Sequence, residues 1–179
     1  MLSFASSFNP EKGAFAIFVN EKYDYKDKKG ILSKNIVGKI DSFLSTLKAK
    51  KEKEEIISFD VSNGQKCFII RIIKKSENYY PQETGGSFYS YIKKIKDIEK
   101  INFYPDSLTL EKEELTNFFA QFIFGFNLKS YTFNKYKTFN KEKINKNINF
   151  KIITFYKNII ENKYKYFNAI REGVFLTRD

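Results

Sequence analysis

"GAFAIFV" (Gly13–Val19) carries no charge and lies between "NPEK" and the loop-like "NEKYDYKDKKG". It does not alternate apolar with polar residues, so it does not read as a strand with one wet face. It is also too short for a buried helix. A short apolar run bounded by turn formers and charge reads as a strand buried on both faces, the kind that parallel sheets contain. One such strand obliges the rest of the chain to supply covering helices.

The downstream segments supply them. In "SKNIVGKIDSFLSTLKAK", Ile36, Ile40, Phe43, Leu44 and Leu47 repeat at helical spacing behind Ser33, a residue suited to the N-cap. The Lys48–Glu55 run reads as a solvated helix end and loop. "EIISFDV" (Glu55–Val61) and "KCFIIRII" (Lys66–Ile73) read as strands joined through "SNGQ", whose Asn-Gly pair is a strong hairpin signal. "ENYYPQETGG" predicts a loop, "GSFYSYIKKIK" (Gly86–Lys96) a helix, and "IEKINFYP" (Ile98–Pro105) a strand stopped by proline.

The clearest helix follows. Thr109 is placed to cap it, Glu111, Glu113 and Glu114 suit its positive end, and Leu115, Phe118, Phe119, Phe122, Ile123 and Phe126 form an apolar stripe. "INFKIITFY" (Ile148–Tyr156) is a last buried strand, after which Asn158 and Glu161 resemble a capping box. Helices alternate with strands, and one hairpin is inserted. The expected class is α/β, a three-layer α/β/α sandwich with a mixed, mostly parallel sheet. Residues 1–157 form its α/β domain and 158–179 a helix leading onward, because "FNAIREGVFLTRD" has helical periodicity but no terminating Gly, Asn or Pro.

Composition removes whole classes of chemistry. The 179 residues include no histidine, so Ser-His-Asp and Cys-His catalysis, histidine-containing zinc sites and the HExxH helix are excluded within them. The lone Cys67 reads as a small buried hydrophobe. No apolar run approaches the roughly 18 residues that cross a bilayer, and the N-terminus lacks a secretory pattern. A soluble, cytoplasmic protein without a membrane partner is expected. The net charge of +11 invites a nucleic-acid reading, yet only Arg71, Arg171 and Arg178 are arginines. Enrichment in Lys, Asn, Ile, Phe and Tyr also follows from an A/T-rich coding bias, so the charge alone assigns no partner.

Candidate sites are few. Gly85-Gly86, at the start of an expected helix, could present backbone N–H groups to an anion, but neither dinucleotide nor P-loop spacing is present. Asp60, Asp106 and the Glu111–Glu114 group are too separated for a carboxylate metal site. In "SYTFNKYKT" (Ser130–Thr138), Tyr131 and Tyr136 beside Lys135 and Lys137 could stack and neutralise a single strand of nucleic acid. The simpler reading is a connector with docked aromatics and solvated lysines.

Two segments resemble a known family. "FIFGFNLKSYTFNKYKT" (Phe122–Thr138) resembles the helix and Y-x-F-x-x-Y-K motif in the N-terminal domain of leucyl aminopeptidases, with Tyr131, Phe133, Tyr136 and Lys137 at the matching positions. "AIREGVFLTRD" (Ala169–Asp179) resembles the helix joining that domain to the catalytic one, through Glu172, Gly173, Arg178 and Asp179. The chain departs from the family pattern at "IIRIIKKSENYY", where a Gly-Leu-Gly element often stands, and at "QETGGSFYSYIKK", where an Arg-rich helix start is usual.

The resemblance implies a macro-domain-like fold and a non-catalytic role in assembly and active-site access. It implies a hexameric metallopeptidase whose two divalent cations, manganese or zinc, are held by a C-terminal catalytic domain, the partner of this one. No catalytic, cofactor-binding or metal residue falls within residues 1–179, so the fragment itself is not expected to be an enzyme. A stand-alone nucleic-acid-binding module is the alternative. Binding of ADP-ribose, by fold analogy alone, is disfavoured by the missing glycine-rich loops.

Overall fold

The computed structural model describes residues 2–5, 13–27, 30–73, 80–130 and 148–178. Among these residues there are six strands: β1 (Phe4–Ala5), β2 (Gly13–Val19), β3 (Ile56–Ser62), β4 (Gln65–Arg71), β5 (Lys100–Tyr104) and β6 (Asn149–Ile153). Four α-helices accompany them: α1 (Lys34–Ala49), α2 (Pro81–Ile92), α3 (Lys112–Ser130) and α4 (Lys157–Arg178), with a 3-10 turn at Pro105–Ser107. The strands form one sheet in the order β1-β6-β5-β2-β4-β3, parallel throughout except for the β3–β4 hairpin. The mixed, mostly parallel α/β architecture expected from the sequence is therefore present.

The chain divides into two compact units. The first comprises Met1–Tyr79, Lys100–Leu115 and Asn149–Phe155 and contains the sheet and α1. Its centre is β2, hydrogen-bonded on one side to β4 and on the other to β5. Phe15, Ile17 and Val19 share a core with Ile36, Ile40, Leu44 and Leu47 of α1 and with Cys67 and Ile69 of β4. The alternate residues Ala16 and Phe18 are just as inaccessible, and the Phe18 ring lies 6.4 Å from that of Phe103. Both faces of β2 are dry, as its unbroken apolar run requires. Each such aromatic or branched side chain contributes about 1.5–3 kcal/mol by leaving water.

The hairpin turns at Asn63-Gly64, as its sequence demands, with Gly64 at φ 78° and a shift of register between Asp60 and Ser62. Ser33 caps α1 by accepting from Ile36 N at 3.4 Å. β1 was not expected. Its two residues pair with Ile152 and Ile153 of β6, and so short a segment has no periodicity to detect.

The second unit comprises Tyr80–Glu99, Thr116–Ile148 and Tyr156–Asp179. Helix α2 starts earlier than the sequence suggested: Pro81 occupies its first turn, where a missing N–H costs nothing, and the expected start at Gly86 lies inside it. Gly85 lies against the Phe122 carbonyl of α3, and a Cβ there would also fall 2.9 Å from Phe126 N. Gly125 lies equally close to Gln82 of α2, 2.6 Å from its Cα for an added Cβ. The two backbones thus touch through reciprocal glycines. Phe88 fills the crossing between Phe122 and Phe126, with ring centroids 6.1 and 6.2 Å away.

Two other caps differ from expectation. Helix α3 begins at Lys112, and Leu115 N donates to Glu111 O at 2.8 Å, so Glu111 and not Thr109 occupies the capping position. Helix α4 begins at Lys157, with Ile159 N and Ile160 N both donating to Tyr156 O, which places Asn158 inside the first turn. Helix α4 packs on α3 through Asn127 Nδ2, which donates to Tyr164 OH at 2.6 Å, and through the Phe124 and Phe167 rings, 5.5 Å apart. No helix among the described residues is long and apolar enough to cross a membrane.

Candidate functional site

In an open α/β sheet, ligands gather outside the carboxyl ends of the parallel strands, where neighbouring strands lead away in opposite directions. Here that place is the C-terminal end of β2, flanked by β4 and β5. Ser107, in the turn after β5, is completely buried: Phe18 N donates to its Oγ at 2.8 Å, and its hydroxyl faces Tyr104 O at 2.7 Å. Asp27, in the loop after β2, accepts from Tyr104 OH, Ile31 N and Leu32 N, each at 2.9 Å. Asp106 accepts from Thr154 Oγ1 at 2.6 Å and from Phe155 N at 2.9 Å, tying the ends of β5 and β6 together.

Arg71, at the end of β4, is equally committed. Its Nε and Nη2 donate to Glu21 O at 2.9 and 2.6 Å, its Nη1 donates to Glu52 O at 3.0 Å, and its guanidinium lies 4.4 Å from the centre of the Tyr23 ring. The crevice is thus closed by its own side chains. Its carboxylates and cation hold loops in place.

Beside it, two open depressions line α1. The larger, about 580 Å³, is bordered by Tyr25, Asp27, Gly30, Leu32, Lys34 and Asp41. The smaller, about 290 Å³, is bordered by Tyr23, Asp24, Asp41, Ser45 and Lys48. Tyr25 OH donates to Asp41 Oδ1 at 2.9 Å, and Lys48 Nζ pairs with Asp24 at 2.8 Å. The Lys48 bond, followed by that from Asn20, holds the Asp24 carboxyl below its ordinary range. Among the described residues no group of three His, Cys, Asp or Glu side chains is arranged to hold a metal ion.

Burial, and then hydrogen bonding to an aspartate, raises the ionisation of both Tyr25 and Tyr104 well above the usual 10. The consequence has a definite sign. In the unfolded chain these phenols ionise near pH 10, whereas in the fold they stay protonated; their contribution is complete below pH 10 and declines above it. Each group should lower stability by up to about 1.4 kcal/mol per pH unit in that range. Urea unfolding at pH 9 and 11 should show the decline, and Tyr104→Phe should reduce its slope.

The residues singled out from sequence are scattered. Tyr131, Phe133, Lys135, Tyr136 and Lys137 lie outside the described residues, as does Asp179. Glu172 and Gly173 lie exposed on α4, Glu172 accepting from Asn168 Nδ2 at 2.7 Å, and Arg178 is the last residue of that helix. Gly85 cannot cradle an anion, since the Phe122 carbonyl occupies the space in front of it. Asp60 pairs with Lys66 at 2.6 Å. Cys67 is fully buried, which pushes its thiol far above the usual range. Asp27 and Ser107 had no distinguishing signal in "YDYKDKKG" and "FYPDS"; distance along the chain hides their partners.

No protein-family model matches the chain, and no curated protein is similar to it in sequence. Among solved structures, a mutant of tomato leucine aminopeptidase superposes with a TM-score of 0.64 at 15% identity. The match covers 98% of this chain and 37% of that one. The likeness is one of fold. The chain therefore spans little more than a third of the enzyme chain it resembles, and it does so with almost none of its own length left over.

Proposed function

We propose that this chain is the non-catalytic N-terminal domain of a leucyl aminopeptidase, serving assembly and access to an active site carried by a C-terminal domain. The observation that carries this reading is the fold likeness over 98% of the chain to 37% of such an enzyme. The sequence resemblance at Tyr131, Phe133, Tyr136 and Lys137, and at Glu172, Gly173, Arg178 and Asp179, adds to it. So does the closed crevice, whose Asp27, Asp106, Ser107 and Arg71 all bond within the fold. In the complete enzyme, two divalent cations, manganese or zinc, activate water and polarise the scissile carbonyl of an N-terminal leucine. Those cations belong to the catalytic domain. Cytoplasmic location and a hexameric assembly accompany this reading.

The coding sequence beyond Asp179 tests it. A continuing frame with a lysine, aspartate and glutamate metal-ligand set is expected. With manganese or zinc added, the full product should hydrolyse a leucine amide, and the 179-residue chain should not. A stop codon directly after Asp179, or metal-dependent peptidase activity in the chain by itself, would overturn the reading.

A further inference from the structure

Helix α4 has two kinds of surface. Ile160 and Tyr164 are buried and Phe167 meets Phe124, so these residues form its inner stripe. Away from that stripe, Asn162, Tyr166, Ala169 and Gly173 are exposed. Their spacing is four, three, four, which is the repeat of a coiled-coil seam. Tyr166 is 70% exposed, and its neighbour Ile170, one turn further on, is 45% exposed. An exposed tyrosine and isoleucine on one helix face, beside two residues small enough to let a second backbone approach, make a surface shaped for another helix.

The charges show which helix fits. Lys165 and Glu172 are both exposed, seven residues apart, and both occupy the same flank of the seam. If two copies of α4 pair antiparallel about a two-fold axis near Ala169, equivalent flanks lie side by side. Lys165 of each copy then faces Glu172 of the other. The same axis sets Tyr166 against Ile170 of the second copy and brings the two Ala169 residues together. A parallel pairing would instead turn this flank toward the opposite flank of the second copy, setting Lys165 beside Ile170 and away from Glu172. Isologous pairing needs such self-complementarity of both shape and charge.

We infer that the outer face of α4 is a homodimer seam, pairing antiparallel with α4 of a second copy of this chain. The patch is short, so the association is weak and rises with protein concentration. This inference goes beyond the proposed domain role and does not depend on it.

Sedimentation equilibrium of the 179-residue chain over a concentration series tests it. The mass should rise from 21.2 kDa toward twice that value. Lys165→Glu and Glu172→Lys should each weaken association at least tenfold, while the two together should restore it. Ala169→Cys should give a covalent dimer on mild oxidation, because Cys67 is fully buried and does not compete. Circular dichroism unchanged from the parent shows that each variant is folded, as expected for exposed positions. A monomer at every concentration overturns the inference. So does a dimer indifferent to the single charge reversals, or a failure of the double reversal to restore pairing.

Discussion

Gly85→Ala should destabilise the protein by roughly 3 kcal/mol, although alanine is the better helix former. Intrinsic propensity favours alanine over glycine by about 1 kcal/mol in a helix interior. Here the added methyl would overlap the Phe122 carbonyl, with Phe126 N at 2.9 Å. Both obstacles are backbone atoms of α3, which cannot rotate away as a side chain would. Relief requires α2 and α3 to separate, and separation loosens Phe88 from Phe122 and Phe126. Overpacking costs of about 1–3 kcal/mol are usual, and an immovable neighbour puts this one at the upper end. Gly125→Ala should behave alike, since its methyl meets Gln82. The double variant should cost less than the two single costs together, because one separation of the helices accommodates both methyls.

Gly86→Ala is the matched control. Its methyl would meet nothing nearer than Gly125 O and Lys129 Cβ at 3.7 Å, ordinary contact distances. It should therefore stabilise by about 0.5–1 kcal/mol. Urea midpoints for the three alanine variants decide the matter. A stabilised Gly85→Ala would show that the helices do not cross so closely.

Asp27→Ala is expected to cost about 2–4 kcal/mol, a large effect for a residue in a loop. The carboxylate accepts three hydrogen bonds at 2.9 Å, from Tyr104 OH, Ile31 N and Leu32 N. Water can replace it at the partly buried Ile31, but Tyr104 is only 2% exposed and its hydroxyl would be stranded. A buried donor left without an acceptor costs about 1–3 kcal/mol, and bonds to a charged group are the stronger ones. In the Tyr104→Phe background, Asp27→Ala should cost about 1–2 kcal/mol less, since no phenol remains to be stranded. Equal costs in both backgrounds would remove Tyr104 as the main partner of Asp27.

Much of this fold was readable in advance because its signals are local. "GAFAIFV" announced a two-faced strand, Asn63-Gly64 a hairpin, and the phenylalanines of α3 a buried stripe. The errors fell where a distant partner decides. Glycines at 85 and 86 looked like a turn, and become a helix interior only because α3 needs a close crossing. Thr109 and Asn158 have capping side chains, but the helices begin one turn or less away from where those residues could cap. The site was less legible still. Ser107 meets Phe18, and Arg71 meets Glu21, through contacts that no local pattern encodes.

The parallel register of β2 also has a consequence for how the protein is made. Ala14 pairs with Lys66 and with Ile101, while Phe4 pairs with Ile152. A ribosome delivers β2, an uncharged strand with six of its seven residues buried, well before either neighbour exists. At roughly 5–20 residues per second, β2 waits several seconds for β5. Nascent chains of this protein should therefore engage holdase chaperones through Phe15–Val19, and release should follow the emergence of β5.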